Sequence, residues 1–508
     1  MQGPVRSVCV VGGGTAGLFA ALFLRRRFPA LSVTLLESPT VPIIGVGEAT
    51  TTLMPPFLHL ELGLDVEALF REVRPTWKLG ITFEWGPADD FFTYPFGPAD
   101  PVEALLHDGT LRTQSLTSRL MGAHRAPLVR EPDGSVRSML GELKFAYHLH
   151  NAPFVDFLLR HALERGVTHV RADVTRVETG PRGVEALHLH DGRRVAFDLF
   201  VDASGFKSLL LGEALGVPFT DWSSSLFCDR ALVTNVPHGG LVRAATTAET
   251  MNAGWCWRIP VEADDHRGYV FSSRFLGDEG ALAEFAAANP AWPRETPVQW
   301  VRFRSGRHHD FWRGNVVALG NAFAFVEPLE STALHMVLFA LDALGDGLAR
   351  LGRGEDARVA AHNAELGAHW DALRWFLAAH YRFNERRDSP FWKEARARVE
   401  LGPVQGAVER LAKEGPWLEQ HGRRFAPDDP TFGHAGLMMV LLGQRVSAAP
   451  PKLPLLSRAA WQQRAAKEEA LVARALSVTE ALAWLREHPG ALHDSVVQGW
   501  MRAEQLRG

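Results

Sequence analysis

The sequence predicts an α/β fold organised around a nucleotide-binding β-α-β unit, and three observations near its start predict it. Val8–Val11 is a β-branched run. It leads into Gly12-Gly13-Gly14-Thr15-Ala16-Gly17 and then LFAALFLRRRF, a composition that favours helix. A second apolar run, Leu31–Leu36, ends in Glu37. Strand, glycine turn, helix, strand and acid is the order in which a backbone cradles a pyrophosphate while a carboxylate reaches a ribose. Gly12 serves the tight turn, Gly14 the close approach of backbone to pyrophosphate, and Gly17 the packing of helix on strand. The candidate cofactor-binding residues of this unit are Gly12, Gly14, Thr15, Ala16, Gly17 and Glu37.

The later elements follow from pattern. Thr76–Trp85 alternates, with Trp77, Leu79, Ile81, Phe83 and Trp85 on one face and Thr76, Lys78, Gly80, Thr82 and Glu84 on the more polar one. A lysine on such a face is ordinarily solvated. Phe92–Gly97 (FTYPFG) is aromatic, Phe154–Arg165 reads as an amphipathic helix, and Gly166–Val177 as one strand. Val184–Val195 carries an Asp-Gly turn between alternating residues, the signature of a hairpin. Strands are expected at Leu199–Gly205, Gly268–Phe275, Val298–Arg304 and Asn315–Gly320, and a long apolar helix at Leu334–Leu351. Ala448–Leu455 is proline-rich enough for a connector, and the tail from Trp461 is rich in helix formers.

Composition excludes several function classes. Of 508 residues, 54 are basic and 58 acidic, a net charge of −4, so no overall positive field favours a nucleic-acid partner. Cys9, Cys228 and Cys256 show no CxxC spacing, and with no signal-like start they suit a cytoplasmic protein. No apolar run nears the roughly 20 residues of a membrane span, so a soluble chain without a membrane partner is expected. His148/His150 and His308-His309 lie in no HExxH or similar pattern, so no metal site is expected and they read as surface or packing residues. No Gly-x-Ser-x-Gly elbow occurs.

Val201-Asp202-Ala203-Ser204-Gly205 and Leu319-Gly320-Asn321-Ala322 read as strand-to-turn segments returning to the nucleotide domain. This arrangement resembles the flavoprotein monooxygenase superfamily, with its Rossmann-like GR2-type fold, which implies FAD and places Asn321 against the flavin's ribityl chain, where that superfamily usually has Gly-Asp. With only one GxGxxG, a second domain for NADPH is not expected, and the flavin is expected to arrive reduced from a separate NAD(P)H-dependent flavin reductase.

Further motifs narrow the resemblance. GVGEAT at Gly45–Thr50, Lys78 about sixty residues after the glycine turn, WxWxIP in Gly254–Pro260, EPLEST in Phe325–Ala333 and DSPFW at Asp388–Trp392 occur in this order. Together they resemble the flavin-dependent halogenases of the tryptophan halogenase family, over most of the chain to about residue 400. The resemblance implies that FADH2 and dioxygen form a C4a-hydroperoxide, which chloride or bromide attacks to give hypohalous acid. Carried over, Lys78 receives that acid and Glu330 is its neighbouring carboxylate. The halide is expected at the backbone N–H groups of Thr332 and Ala333, beside a helix start. The family has Gly where Ala333 stands; a positive φ there would strain alanine. Ala49, in the GVGEAT segment, is expected at the cofactor.

Where the family has His-Pro-Phe around an indole, this chain has Tyr94-Pro95-Phe96, and the family's carboxyl-terminal grip on free tryptophan has no clear counterpart in WLEQHGRRF or GHAGLMMVLLGQRV. The expected substrate is indole, another electron-rich heteroaromatic, or an indole within a larger molecule rather than free tryptophan. Trp255, Trp257 and Ile259 share a strand face and are expected to keep flavin and substrate apart. Residues 1–400 are expected to interleave the FAD module with a substrate-binding domain of sheet and helices, and 401–508 to be mainly helical and to complete or cover the substrate site. The alternative is a flavin-dependent aromatic monooxygenase that hydroxylates its substrate without halide.

Overall fold

A computed structural model describes residues 5–41, 47–416, 432–451 and 455–492. Two compact units are each assembled from three chain segments. The first comprises Met1–Gly45, Asn151–Ser223 and Phe303–Asp371, and the second Val46–His150, Ser224–Arg302 and Ala372–Gly508.

The first unit is built on a six-stranded sheet ordered Thr168–Arg171, Ser32–Glu37, Ser7–Val11, Leu199–Asp202, Val316–Ala318, Trp312–Arg313. All pairings are parallel except the last. The helix Thr15–Arg27 is apolar all round over Leu18–Leu24, all of them buried, before a last turn of three arginines. Such a helix needs cover on every side. Beyond the sheet it meets the helices Asn151–Glu164 and Ala333–Gly352, with Phe19 edge-on to Phe154 at 6.0 Å.

The second unit contains a seven-stranded sheet ordered Gln299–Arg302, Arg230–Val236, Asp265–Phe271, Gly254–Pro260, Thr246–Met251, Gly80–Glu84, Phe92–Pro95. A smaller sheet sets Ala146–Leu149 between Glu48–Ala49 and Thr76–Lys78. The expected hairpin forms, with Gly183–Leu189 paired to Arg194–Val195 and Gly192 at φ 85°. The tail is helical over Arg458–Arg474 and Val478–Glu487, the latter opened by a Ser477/Glu480 capping box. The Gly45-Val46 end of GVGEAT, the WLEQHGRRF stretch and part of the Ala448–Leu455 connector lie outside the described residues.

Two expected strands are each two strands. Gly166–Val177 divides into Thr168–Arg171, parallel to Ser32–Glu37, and Val174–Gly180, which enters a separate three-stranded sheet. Between them Asp173 accepts hydrogen bonds from the hydroxyls of Ser38 and Thr40, holding the chain where it leaves the first sheet. Thr76–Trp85 divides at Leu79: Thr76–Lys78 belongs to the small sheet and Gly80–Glu84 to the large one. The alternation holds across the break, but the polar face is covered at Thr76, Lys78 and Gly80 and half-buried at Thr82 and Glu84, and Lys78 is 0% exposed rather than solvated.

Candidate active site

In the first unit the glycine turn lies between Val11 and Thr15. A Cβ on Gly12, whose φ is +123°, would stand 2.2 Å from the carbonyl oxygen of Ala203, and one on Gly17 would stand 2.0 Å from that of Gly12. Both positions admit only glycine. Gly14 differs: its φ of −76° suits any residue, and a Cβ there would meet nothing within 4 Å. What Gly14 leaves room for is therefore not another part of this turn. It precedes a helix whose first turn holds no acid and whose cap makes no side-chain hydrogen bond, so the first-turn N–H groups have neither an acid nor a capping side chain to satisfy them. Glu37 folds its side chain over Gly13 and its Oε2 lies 2.7 Å from His169 Nε2. These residues fit the diphosphate and ribose of a dinucleotide.

The Gly320–Ala322 turn packs beside the same helix start. A Cβ on Gly320 would lie 3.3 Å from Ala16 Cβ and 3.6 Å from Val337, so the turn carrying Asn321 sits against both Thr15–Arg27 and Ala333–Gly352. Asp202, fully buried, organises the same region: its Oδ1 accepts from Ser204 N and Oγ, and its Oδ2 from Leu210 N and Leu211 N at 2.7 and 2.9 Å. Glu330 ends a single helical turn at 2% exposure. Ser331 then takes φ 59°, and Thr332 caps the twenty-residue helix without using its side chain. The Thr332 hydroxyl is buried with no hydrogen-bond partner among the described residues. The positive φ falls on Ser331 and not on Ala333, so the strain expected of alanine does not arise.

In the second unit the structure brings Lys78 and Phe96 together, with the ammonium 5.4 Å from the ring centroid, within cation–π range. Gly80 permits this crowding, since a Cβ there would stand 2.2 Å from the Tyr94 carbonyl and 2.8 Å from Pro95 Cα. Tyr94 itself meets Phe432, 6.4 Å away, which stacks on Phe376 at 4.2 Å. The helix Gly433–Gly443 lies on this strand through two glycines seven apart: Cβ atoms would strike the Tyr94 hydroxyl from Gly436 and the Phe92 ring from Gly443. Ala49 pairs with His148 in the small sheet, and Thr76 pairs with His148 from its other side.

Trp255, Trp257 and Ile259 share a face as expected, the two indoles 6.1 Å apart and all three side chains buried. Gly268 lies opposite Trp257, where a Cβ would stand 2.0 Å from the indole. Burial pushes the Cys256 thiol between them up to about 12, which keeps it protonated and unreactive. The DSPFW tryptophan, Trp392, packs edge-on to Trp85 at 5.3 Å and donates to the Met251 carbonyl at 2.6 Å.

His148, read from sequence as surface or packing, is fully buried, and burial with the adjacent Lys78 charge holds its pKa well below the usual histidine value. Nothing in the alternation of its strand announces that burial. The seven-residue spacing of Gly436 and Gly443 was a readable signal of one helix face. Among the described residues, no group of three His, Cys, Asp or Glu is placed to hold a metal ion, and no helix is long and apolar enough to cross a membrane.

The tryptophan halogenase family model matches residues 7–459. Tryptophan 7-halogenase RebH of Lentzea aerocolonigenes is 33% identical over 438 residues, 81% of this chain and 82% of its own. Tryptophan 6-halogenase ThaL of Streptomyces albogriseolus is 32% identical over 428 residues, 77% and 79% of the two chains. Among solved structures, MibH, a lathipeptide tryptophan 5-halogenase, aligns with a TM-score of 0.90 and 43% identity over 97% of this chain and 96% of its own. Xcc4156, a flavin-dependent halogenase from Xanthomonas campestris, aligns with a TM-score of 0.81 and 28% identity over 95% and 98%. With the glycine cradle, the buried lysine and these likenesses in agreement, the chain belongs to the tryptophan halogenase family and is a flavin-dependent halogenase.

Proposed function

We propose that the enzyme uses FADH2, delivered by a separate NAD(P)H-dependent flavin reductase, with dioxygen and chloride or bromide, to halogenate an indole carried in a peptide or similar larger molecule rather than free tryptophan. The likeness to a lathipeptide tryptophan 5-halogenase supports this substrate most: 43% identity there against 33% to a tryptophan 7-halogenase. Tyr94 in place of the expected histidine agrees with a different grip on the ring.

When bound, the reduced flavin would supply two electrons to dioxygen, and the peroxide-level oxygen so formed would be the oxidant that takes two electrons from the halide. The chain's own residues do the rest. Backbone donors at Gly14, Thr15 and Ala16 hold the diphosphate, with Gly12 and Gly17 shaping the turn. Glu37 takes the ribose hydroxyls, and Ala49 and Asn321 line the flavin. The N–H groups of Thr332 and Ala333 hold the halide, where the helix start is positive. Lys78 holds the oxidised halogen as an ammonium that polarises it or as an amine that bonds it. Phe96, with Tyr94 and Pro95, stacks the arene, and Glu330 stabilises the cationic ring and takes the displaced proton. Trp255, Trp257 and Ile259 form a wall that passes only the small oxidant. Residues 401–508 cover the arene site, in keeping with the Gly433–Gly443 helix on the Tyr94 strand.

The test supplies FAD, flavin reductase, NADH and bromide, and offers free tryptophan, indole and a tryptophan-containing peptide separately. A bromine isotope pair on the peptide, at higher kcat/KM than free tryptophan, is the expected result. Equal or better use of free tryptophan overturns the substrate reading. Product carrying only oxygen favours the monooxygenase alternative.

A further inference from the structure

Lys78 stands where the chain leaves one sheet for another, and a buried hydrogen-bond chain crosses there. Thr76 Oγ1 donates to the Pro260 carbonyl at 2.6 Å, His148 Nδ1 lies 3.1 Å from the same Oγ1, and His148 Nε2 lies 2.9 Å from Thr246 Oγ1. Thr76 and His148 are fully buried, and Thr246 is nearly so. A carbonyl cannot donate, so Thr76 gives its one proton to Pro260 and can only accept from His148. Nδ1 therefore carries a proton. Burial and the neighbouring Lys78 disfavour a second proton on the ring, so Nε2 accepts from the Thr246 hydroxyl. Every bond in the chain has one direction, from Thr246 through His148 and Thr76 to Pro260.

Its two ends belong to the seven-stranded sheet, Thr246 opening one strand and Pro260 closing the Trp-x-Trp-x-Ile-Pro strand. Its middle belongs to the small sheet. Thr76 and Lys78, two apart in a strand, project from the same face. One residue beyond Lys78, Leu79 N donates to the Ala244 carbonyl at 2.8 Å. The lysine is thus held on both sides, through Thr76 to Pro260 at the end of one strand of the large sheet and through Leu79 to Ala244, two residues before the start of another.

We propose that His148 is a positioning residue for Lys78: its neutral imidazole, locked as the Nδ1–H tautomer by Thr76 and Thr246, fixes where the ammonium sits and keeps a second positive charge away from it. This rests on the reading of Lys78 as the residue that holds the oxidised halogen. A misplaced ammonium would release that oxidant, whereas loss of folded protein would lower every output together.

The test compares the full-length parent with Thr76→Val, Thr76→Ser, Thr246→Val and Lys78→Ala, each with FAD, flavin reductase, NADH, bromide and indole. Two quantities are read: bromoindole formed per FADH2 consumed, and oxidised bromine escaping to monochlorodimedone in reactions without indole. For Thr76→Val the ratio of product to escaped bromine should fall about tenfold, with KM for indole and FAD affinity within about twofold of the parent. Thr76→Ser, which keeps the hydroxyl, should restore the ratio, and Thr246→Val should lower it about threefold. If Thr76→Val does not fold, Thr246→Val decides. An unchanged ratio in the deciding valine variant, or no rescue by serine where Thr76→Val has lowered it, overturns the proposal. A parent-like ratio in Lys78→Ala instead removes Lys78 from its role, independently of the valine result.

Discussion

The glycine cradle and the lysine pocket treat backbone and charge in opposite ways. In the first unit, Gly14 leaves open space at a helix start whose main-chain donors have no capping side chain. In the second, Lys78 is at 0% exposure, held beside an aromatic ring and a histidine whose pKa lies well below its usual value. An open backbone site binds what fills it, and its cost falls on glycine entropy. A buried charge costs desolvation whether or not anything is bound, and it persists where the surroundings fix it. Substitutions should therefore separate the two: binding should fail in the first unit and chemistry in the second.

The largest effect is expected at Lys78. Lys78→Ala should lower halogenated product by about 10²–10⁴-fold, the range for removing a group that acts directly on the reacting atoms. Flavin reoxidation and FAD affinity should stay at parent values, measured by stopped-flow absorbance and by titration. Loss of FAD binding in this variant would erase the division between the units.

Acid should act on the two units unequally. Burial lowers His59 and His266 in the lysine unit and His335 in the nucleotide unit to about 4. In each case the unfolded chain takes a proton near pH 6.5 that the folded chain refuses. The stability is complete above that pH and is lost as pH falls from 6.5 towards 4, by at most about 1.4 kcal/mol per pH unit for each histidine. Hydrogen exchange at pH 5 should show strands around His59 and His266 opening before the Ser7–Val11 sheet. The reverse order would place the acid-sensitive part in the nucleotide unit.

A pair of glycine substitutions sharpens what openness means. Gly12→Ala meets the Ala203 carbonyl at 2.2 Å in a left-handed backbone, and should destabilise by about 1–3 kcal/mol. Gly14→Ala meets nothing and has an ordinary φ, so its melting temperature should hold or rise slightly. Its FAD affinity should nonetheless fall by about tenfold, because the added methyl stands where a diphosphate must approach. Calorimetry and flavin titration on the two proteins check both halves.

The glycine turn was legible because each of its parts is a residue type at a fixed spacing, and Glu37 stands at the spacing expected of a ribose-binding acid. Lys78 was legible only through the family's motifs, since alternation placed it on a face that normally meets water. Its burial depends on the sheet crossing at Leu79, on Gly80 and on Phe96, contacts made across pairings that no local pattern encodes. His148 was illegible for the same reason: its partners are 72 and 98 residues away. Gly436 and Gly443 were present as a spacing, but what they touch is set by the strand they face.

The smallest effect is expected at Ala333, where the family's glycine suggested a strained halide site. The left-handed residue is Ser331, with φ 59°, and Ala333 is the first residue of a regular helix. The extra conformations of a glycine there are ones the helix does not use, and it loses more backbone entropy on folding. Ala333→Gly should therefore lower stability by no more than about 1 kcal/mol. The N–H groups of Thr332 and residue 333 keep their direction, because the helix fixes it, so halide affinity should change by less than about twofold. Bromide dependence of product formation, compared between parent and variant, measures it. A large gain in affinity would mean that the Cβ of Ala333 itself obstructs the anion, and the difference between this chain and its family would then be steric rather than conformational.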